Sequence, residues 1–352
     1  MDNGYKLKKV YPTTVENPMD ELMKLYIEQA RTRLCRYPES NASTTLKVAY
    51  TAMHGVRHAF LSRLFAAFQH KEYIPVQAQL LPDPEFPTLA FPNPEEGKGA
   101  LQLAMETAKA NGARLILTND PNADRLAVAE RDPNSESGWR IFTGNEIGLL
   151  LGCWELEQYQ RLHPDCDRKQ LYFVASTRSS KMLRAVAQAE GLNFEETLTG
   201  FKWMGNKTAE LRDADKDGIV AAAVFTEWRF SLKRRKIRQW ASISMPSMSA
   251  NGYFLTQNHY VKCNGPVTIR AIFECLRNGG RYWESCGFAI THVRDLTTGY
   301  DSSQPDKRAV FPVSSSTVMI TYPFANGCVA TLHTSGTEPK LKHYVELAAR
   351  VG

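Results

Sequence analysis

Apolar residues recur at helical spacing over 16–34, where Leu22, Tyr26 and Ala30 share one face and Asn17 followed by Pro18 gives a start signal. "TLKVAYTAMHG" then reads as a strand broken at Gly55. "HAFLSRLFAAF" reads as a helix with Phe60, Leu61, Leu64, Phe65 and Phe68 on its apolar face. A Pro-rich connection over 82–96 leads into a helix from about Lys98 to Asn111, and "ARLIL" and "LAVAE" are short apolar strands enclosing a polar loop. The order repeats with a helix over "TGNEIGLLLGCWELEQY", a boundary at "HPDCDRK", a strand at "QLYFVAST" and a helix at "SSKMLRAVAQAEG". Such alternation predicts α/β sheets carrying their sites at the carboxyl ends of strands. The tail differs. "TVMITYPFANGCVATLHT" predicts a hairpin around Asn326-Gly327 and "LKHYVEL" alternates like a strand, so a small α+β domain ends the chain.

Composition narrows the class. A chain of 352 residues, 43% hydrophobic and 23% charged, can bury cores for two to three domains. No apolar stretch reaches the roughly 18 residues of a membrane span, and "MDNGYKLKKVYP" has no apolar signal region, which leads us to expect a cytoplasmic protein. The seven cysteines are scattered without a CxxC spacing, as expected of reduced thiols. The net charge of +6 is concentrated in "KRRKIR" (233–238), a nuclear-localisation or nucleic-acid patch or, as favoured here because no aromatic platform or nucleic-acid motif accompanies it, a solvated helix face. "DADKDG" (213–218) imitates the start of a calcium loop, but its twelfth position is Val224, where that loop needs a bidentate glutamate. Neither a GxxxxGK[ST] nor a strand-following GxGxxG is present.

Two loops carry candidate chemistry. In "TNDPNADR", Asp120, Asn122 and Asp124 alternate, with Arg125 directly behind them. Oxygens at alternate positions can converge on Mg²⁺, whose shell substrate phosphate commonly completes; the alternative is an ordinary Asp/Asn/Pro turn. In "HTSGTEPKLK", Thr334, Ser335, Gly336, Thr337 and Lys340 gather hydroxyls, a close-approach glycine and a cation, a set suited to phosphate or to a plain Ser/Gly turn.

With both loops in view, the chain resembles the α-D-phosphohexomutase superfamily, in the branch of phosphopentomutase-type phosphoglucomutases and glucose 1,6-bisphosphate synthases. The resemblance runs in order through "DNGYK", "YTAMHGV", "NDPNADRLAVAE", "GNEIGLLLG", "SSKMLRAVA", "TLTGFKWMGN", "DKDG", "RDLTTGYDSSQPDKRAV" and "TSGTEPKLK". It implies a multidomain fold of mixed α/β sheets with a C-terminal α+β domain. The implied domains are a remnant of the first at 1–42, a second with the metal loop at 43–165, an incomplete third at 166–254 and a phosphate-binding fourth at 255–352. It also implies a phosphomutase, an isomerase that moves a phosphoryl group within glucose 1-phosphate or (deoxy)ribose 1-phosphate through a phosphoserine. The implied cofactors are Mg²⁺ and, as activator, glucose 1,6-bisphosphate; the implied partners are sugar phosphates, with no nucleic acid, no membrane and a monomeric state.

Residue by residue, the resemblance makes Asp120, Asn122 and Asp124 metal ligands, with Asn122 standing where the family has Asp. It makes Lys6 a general acid/base, Arg125 the arginine facing the transferring phosphoryl group, and Lys216 a cleft lysine. Thr199 and Gly200 match a sugar-reading turn. His333, Ser335, Gly336, Thr337 and Lys340 match the loop for the non-reacting phosphate, where His333 replaces an arginine and is expected to charge only near its reference pKa of about 6.5. His54 is expected to be structural. Three departures stand out. The family's T-A-S-H-N-P-K nucleophile segment is missing ahead of "DNGYK", its F-E-E-A-I-G-Y sugar loop is missing between "GFKWMGN" and "DKDG", and residues 229–250 have lost the likeness. They imply an incomplete or mis-spliced member that is inactive as it stands, or a non-catalytic sugar-phosphate-binding remnant.

Overall fold

The computed structural model describes residues 17–90, 98–123, 125–211, 253–263, 265–282, 284–285, 287–313, 318–334 and 340–349. They fall into two compact units, one running through Ile147 and the other beginning at Gly148. The basic run at 233–238 and the calcium-like loop at 213–218 lie outside the described residues.

In the first unit, Asn17 Oδ1 accepts the Met19 N–H at 3.2 Å and so starts helix α1, Met19–Leu34. Asp20 and Glu21 in its first turn and Arg31 and Arg33 in its last suit the helix dipole. After the short helix α2, Pro38–Ser43, come strand β1, Val48–Thr51, helix α3, His58–Ala67, and strand β2, Ile74–Pro75. Helix α4, Lys98–Asn111, and strands β3, Leu115–Asn119, β4, Leu126–Arg131, and β5, Trp139–Phe142, complete it. The sheet order is β2-β1-β3-β4-β5, parallel among the first three and antiparallel beyond. One face packs Ala49, Ile116 and Ala129 against Leu101, Ala104 and Ala108 of α4. On the other, Tyr50 meets Tyr73 and Phe65 of α3 stands edge-on to Tyr73, with ring centroids 4.8 and 5.1 Å apart. Leu61, Leu64, Phe65 and Phe68 are buried as the helical spacing predicts, each contributing about 1.5–3 kcal/mol, while Phe60 sits half-buried at the margin.

Helix α5, Gly144–Leu162, opens on a reciprocal cap: Glu146 Oε2 accepts the Thr143 N–H at 2.7 Å and Thr143 Oγ1 accepts the Glu146 N–H at 3.2 Å. The unit boundary falls within this helix. The second unit continues with β6, Tyr172–Ser176, α6, Met182–Glu190, β7, Asn193–Thr197, parallel to β6, and α7, Phe201–Leu211. Then follow β8, Tyr253–Lys262, α8, Pro266–Arg277, and a small antiparallel pair β9, Glu284–Ser285, with β10, Phe288–Ala289. Strands β11, Arg294–Asp295, β12, Tyr300–Asp301, β13, Met319–Pro323, β14, Cys328–Thr334, and β15, Lys340–Ala349, close the chain. The last sheet is antiparallel, in the order β12-β11-β13-β14-β15-β8. Phe273 of α8 fills its core with Val293, Ile320, Tyr322 and Leu341. Its hairpin turns at Asn326-Gly327 as expected, with Asn326 Oδ1 accepting the Cys328 N–H at 3.0 Å and Gly327 at φ +83°.

Six cysteines among the described residues carry free thiols, and no helix among them is long and apolar enough to cross a membrane. His54 is buried and its Nε2 pairs with Thr88 Oγ1 at 2.7 Å, the structural part expected of it.

The turn after β1 presses on the Asp loop. A Cβ on Gly55 would stand 2.7 Å from Pro121 Cα, and Arg57 Nη2 donates to the Asn122 carbonyl at 2.6 Å. Since Pro121 meets Gly55 with backbone, it cannot yield by changing a rotamer. Gly55→Ala is therefore expected to lower stability by about 1–3 kcal/mol in urea denaturation, the range of overpacking. An unchanged midpoint would show that the two loops are not wedged together.

Candidate functional site

The Asp loop grows out of β3, which is buried along its whole length. A polar residue ending such a strand must find partners. Asn119, fully buried, accepts from Tyr50 Oη at 3.1 Å and donates through Nδ2 to the Arg125 carbonyl at 2.8 Å. Burial pushes the Tyr50 hydroxyl pKa far above its ordinary value, so it stays a donor. Asp120 is 4% exposed; its Oδ1 accepts the Arg125 N–H at 3.2 Å and its carbonyl accepts the Ala123 N–H at 2.9 Å. Ala123 takes the left-handed conformation, φ +58°, to close this turn. Asn122 is exposed and Arg125 half-buried, and Asp124 lies outside the described residues. Asp120 and Asn122 bring hard oxygens to one tight turn, a donor chemistry that fits Mg²⁺.

The second cluster belongs to the second unit. His333, near the end of β14, is 6% exposed and stacks on Tyr344 with centroids 5.5 Å apart and planes 11° from parallel. Its Nδ1 pairs with the Thr334 carbonyl at 2.7 Å and so carries the proton, which leaves Nε2 to accept from Arg178 Nη1. Arg178 Nε donates to Thr199 Oγ1 at 2.5 Å, and its guanidinium lies 5.5 Å from the Tyr344 ring centroid. Burial first, then the positive charge of Arg178, draw the His333 pKa down to about 4 against the opposing pull of the Thr334 carbonyl, with a smaller push from Lys342. The expectation that His333 gains charge near 6.5 is thus corrected. Its one free lone pair already holds a guanidinium donor, and a proton there would meet that cation.

Thr199 therefore sits at the cluster, and Gly200 beside it is exposed at φ +124°, opening the turn into α7. Lys340 places Nζ 4.3 Å from the Tyr260 ring centroid. Ser335, Gly336 and Thr337, like Lys6 and Lys216, lie outside the described residues. Ser179 and Ser180 are engaged locally, Ser179 Oγ with Ser176 Oγ at 2.9 Å and Ser180 Oγ with the Met182 N–H at 3.1 Å. Sequence reasoning passed over Arg178 and Tyr344. Arg178 is a lone cation in a turn 155 residues from His333, and no local pattern marks it.

The chain matches "Phosphoglucomutase/phosphomannomutase, alpha/beta/alpha domain II" over residues 24–135 and "alpha/beta/alpha domain III" of the same family over 143–214. It is 43% identical to glucose 1,6-bisphosphate synthase of Mus musculus over 96% of its own length and 58% of that protein's. With phosphopentomutase of Homo sapiens it shares 43% identity over 96% of its length and 59% of the relative's, and with phosphoribomutase of Saccharomyces cerevisiae 34% over 94% and 60%. It thus spans less than two thirds of each. The fold is similar to that of a solved phosphoglucomutase/phosphomannomutase family protein from Burkholderia thailandensis, with a TM-score of 0.58 at 15% identity over 93% of this chain and 60% of that one. The two domain matches and these relatives establish that the chain belongs to the phosphoglucomutase/phosphomannomutase superfamily, in the branch of the phosphopentomutases and glucose 1,6-bisphosphate synthases.

Proposed function

We propose that the chain is the sugar-phosphate-handling part of a Mg²⁺-dependent phosphoglucomutase/phosphopentomutase-type enzyme, with an aldose 1-phosphate as ligand. The observation carrying this reading is the 43% identity to phosphopentomutase across 96% of the chain. In this reading Asp120, Asn122 and Asp124 hold Mg²⁺, which offsets phosphate charge when bound. Arg125 faces the transferring phosphoryl group, and Lys6 and Lys216 act as acid/base and cleft lysine. Thr199 and Gly200 read the sugar, while Ser335, Gly336, Thr337 and Lys340 hold its phosphate beside His333. The family's phosphoserine route, activation by glucose 1,6-bisphosphate, and a monomeric cytoplasmic protein belong to the same reading.

A second reading, a binding protein without turnover, is favoured by one feature. Between "GFKWMGN" and "DKDG" only "KTAELRDA" intervenes, without the F-E-E-A-I-G-Y sugar loop. A sugar that is bound without that loop is not held in the orientation transfer requires.

Glucose 1-phosphate or ribose 1-phosphate is expected to raise the thermal midpoint of residues 1–352, and ligand at about 100 times Kd should add roughly 2.7 kcal/mol. Coupled assays on the same polypeptide should detect no phosphoryl exchange. Absence of any shift with either sugar would refute the sugar-phosphate reading, and turnover exceeding that of an Asp124→Ala, Lys6→Ala variant would refute the second.

Asn122 offers Mg²⁺ a neutral oxygen where a carboxylate would add charge. Asn122→Asp is expected to tighten Mg²⁺ binding about tenfold by calorimetry, equivalent to ~1.4 kcal/mol from one added contact charge in an exposed loop. No gain would remove Asn122 from the ligand set.

Because His333 stays neutral down to about 4 while its unfolded form protonates near 6.5, the unfolded chain binds more protons in that window and stability rises with pH across it. From pH 7 to pH 4.5 the loss should be about 2 kcal/mol smaller in His333→Gln. Sulfate, which does not titrate there, should bind equally at pH 6 and pH 8. Tighter binding at pH 6 would restore His333 as a charged ligand.

A further inference from the structure

The cations of the second unit show a contrast. Lys181 and Arg184 both reach Glu196, at 2.7 and 2.6 Å, and Arg277 reaches the fully buried Asp295 at 2.7 Å. Arg294 pairs with Asp301 at 3.1 Å. Arg178 differs. It is half-buried, yet among the described residues no carboxylate lies within 4 Å of its guanidinium. Its partners are the hydroxyl of Thr199, the neutral ring of His333, and Tyr344, whose Oη lies 3.5 Å from Nη1.

Withdrawing a cation from water without a counter-charge is unfavourable, and these three neutral partners fix its direction without neutralising it. Nε and Nη1 are engaged, while Nη2 makes no hydrogen bond among the described residues. Lys342, paired in register with His333 on the neighbouring strand, adds to the positive field felt at the imidazole. A guanidinium held stiffly with its Nη2 donors to spare is matched to the oxygens of a phosphate monoester.

We propose that Arg178 is a phosphate-binding residue of this chain, held in position by Thr199 and His333, and that it takes the phosphate monoester of the sugar phosphate. His333 is then a positioning residue, an acceptor that aims the guanidinium and is not itself a ligand. The proposal rests on the sugar-phosphate reading above but names a residue that reading does not contain.

Calorimetry with glucose 1-phosphate on the 352-residue chain and on Arg178→Gln tests it, with the thermal midpoint measured alongside. The expected result is at least a tenfold loss of affinity with a midpoint unchanged or raised, since an uncompensated cation has been removed. Because side chains 178 and 333 meet, a guanidinium moved to the facing position should recover part of that affinity in Arg178→Gln/His333→Arg. Should Arg178→Gln fail to fold, phenylglyoxal labelling of the unaltered chain reads the same point, and glucose 1-phosphate should protect Arg178. Equal affinity in Arg178→Gln, or labelling indifferent to the sugar phosphate, overturns this proposal alone. If the unaltered chain binds no glucose 1-phosphate or ribose 1-phosphate, the broader reading fails and this one with it.

Discussion

The first unit depends on one constraint: a strand buried over its full length must end on polar groups that are satisfied inside the protein. β3 ends on Asn119, which is 0% exposed and finds Tyr50 on β1 and the Arg125 carbonyl across the loop. Those bonds tie the two ends of the Asp loop to the sheet, and the turn at Gly55 closes on Pro121 from outside. The loop's conformation therefore follows from packing around it. Asp120, whose Oδ1 accepts the Arg125 N–H, then has its direction set by the fold itself.

Much of this was legible locally. Alternating strands and helices follow from residues near one another in sequence, so Lys98–Asn111 and the turn at Asn326-Gly327 fall where their patterns place them. The Asp loop is visible because its ligand candidates lie within five residues. The Arg178 cluster was not legible. It joins a turn after β6 to two strands of the last sheet, and contacts across such separations leave no periodicity to read. The charge state of His333 was misjudged for the same reason, because its surroundings are set by Arg178, Tyr344 and Lys342, none of which is a sequence neighbour.

Family likeness and site chemistry also separate here. "RDLTTGYDSSQPDKRAV" is one of the stretches on which the resemblance to the family rests, yet its acids serve the fold. Asp295 accepts from Arg277 and from the Thr297 N–H, while Asp301 accepts from Arg294 and from Ser303. Burial opposes ionisation of Asp295, but the Arg277 bond and the Thr297 N–H outweigh it and hold the carboxyl below its usual range. A motif can thus be diagnostic of ancestry while its charged residues knit a turn.

The hairpin at Asn326-Gly327 has a wider consequence. A Cβ on Gly327 would stand 2.9 Å from the Ala348 carbonyl, so the turn is fitted to β15 as well as to its own strands. Side chains of a strand alternate between faces, and His333 stands opposite Lys342 by virtue of that register. A lineage could exchange many residues of β14 for others of similar size and keep the cluster. Gain or loss of one residue within β14 would shift that register and carry the imidazole to the opposite face. Within β14, then, the register constrains length more tightly than composition.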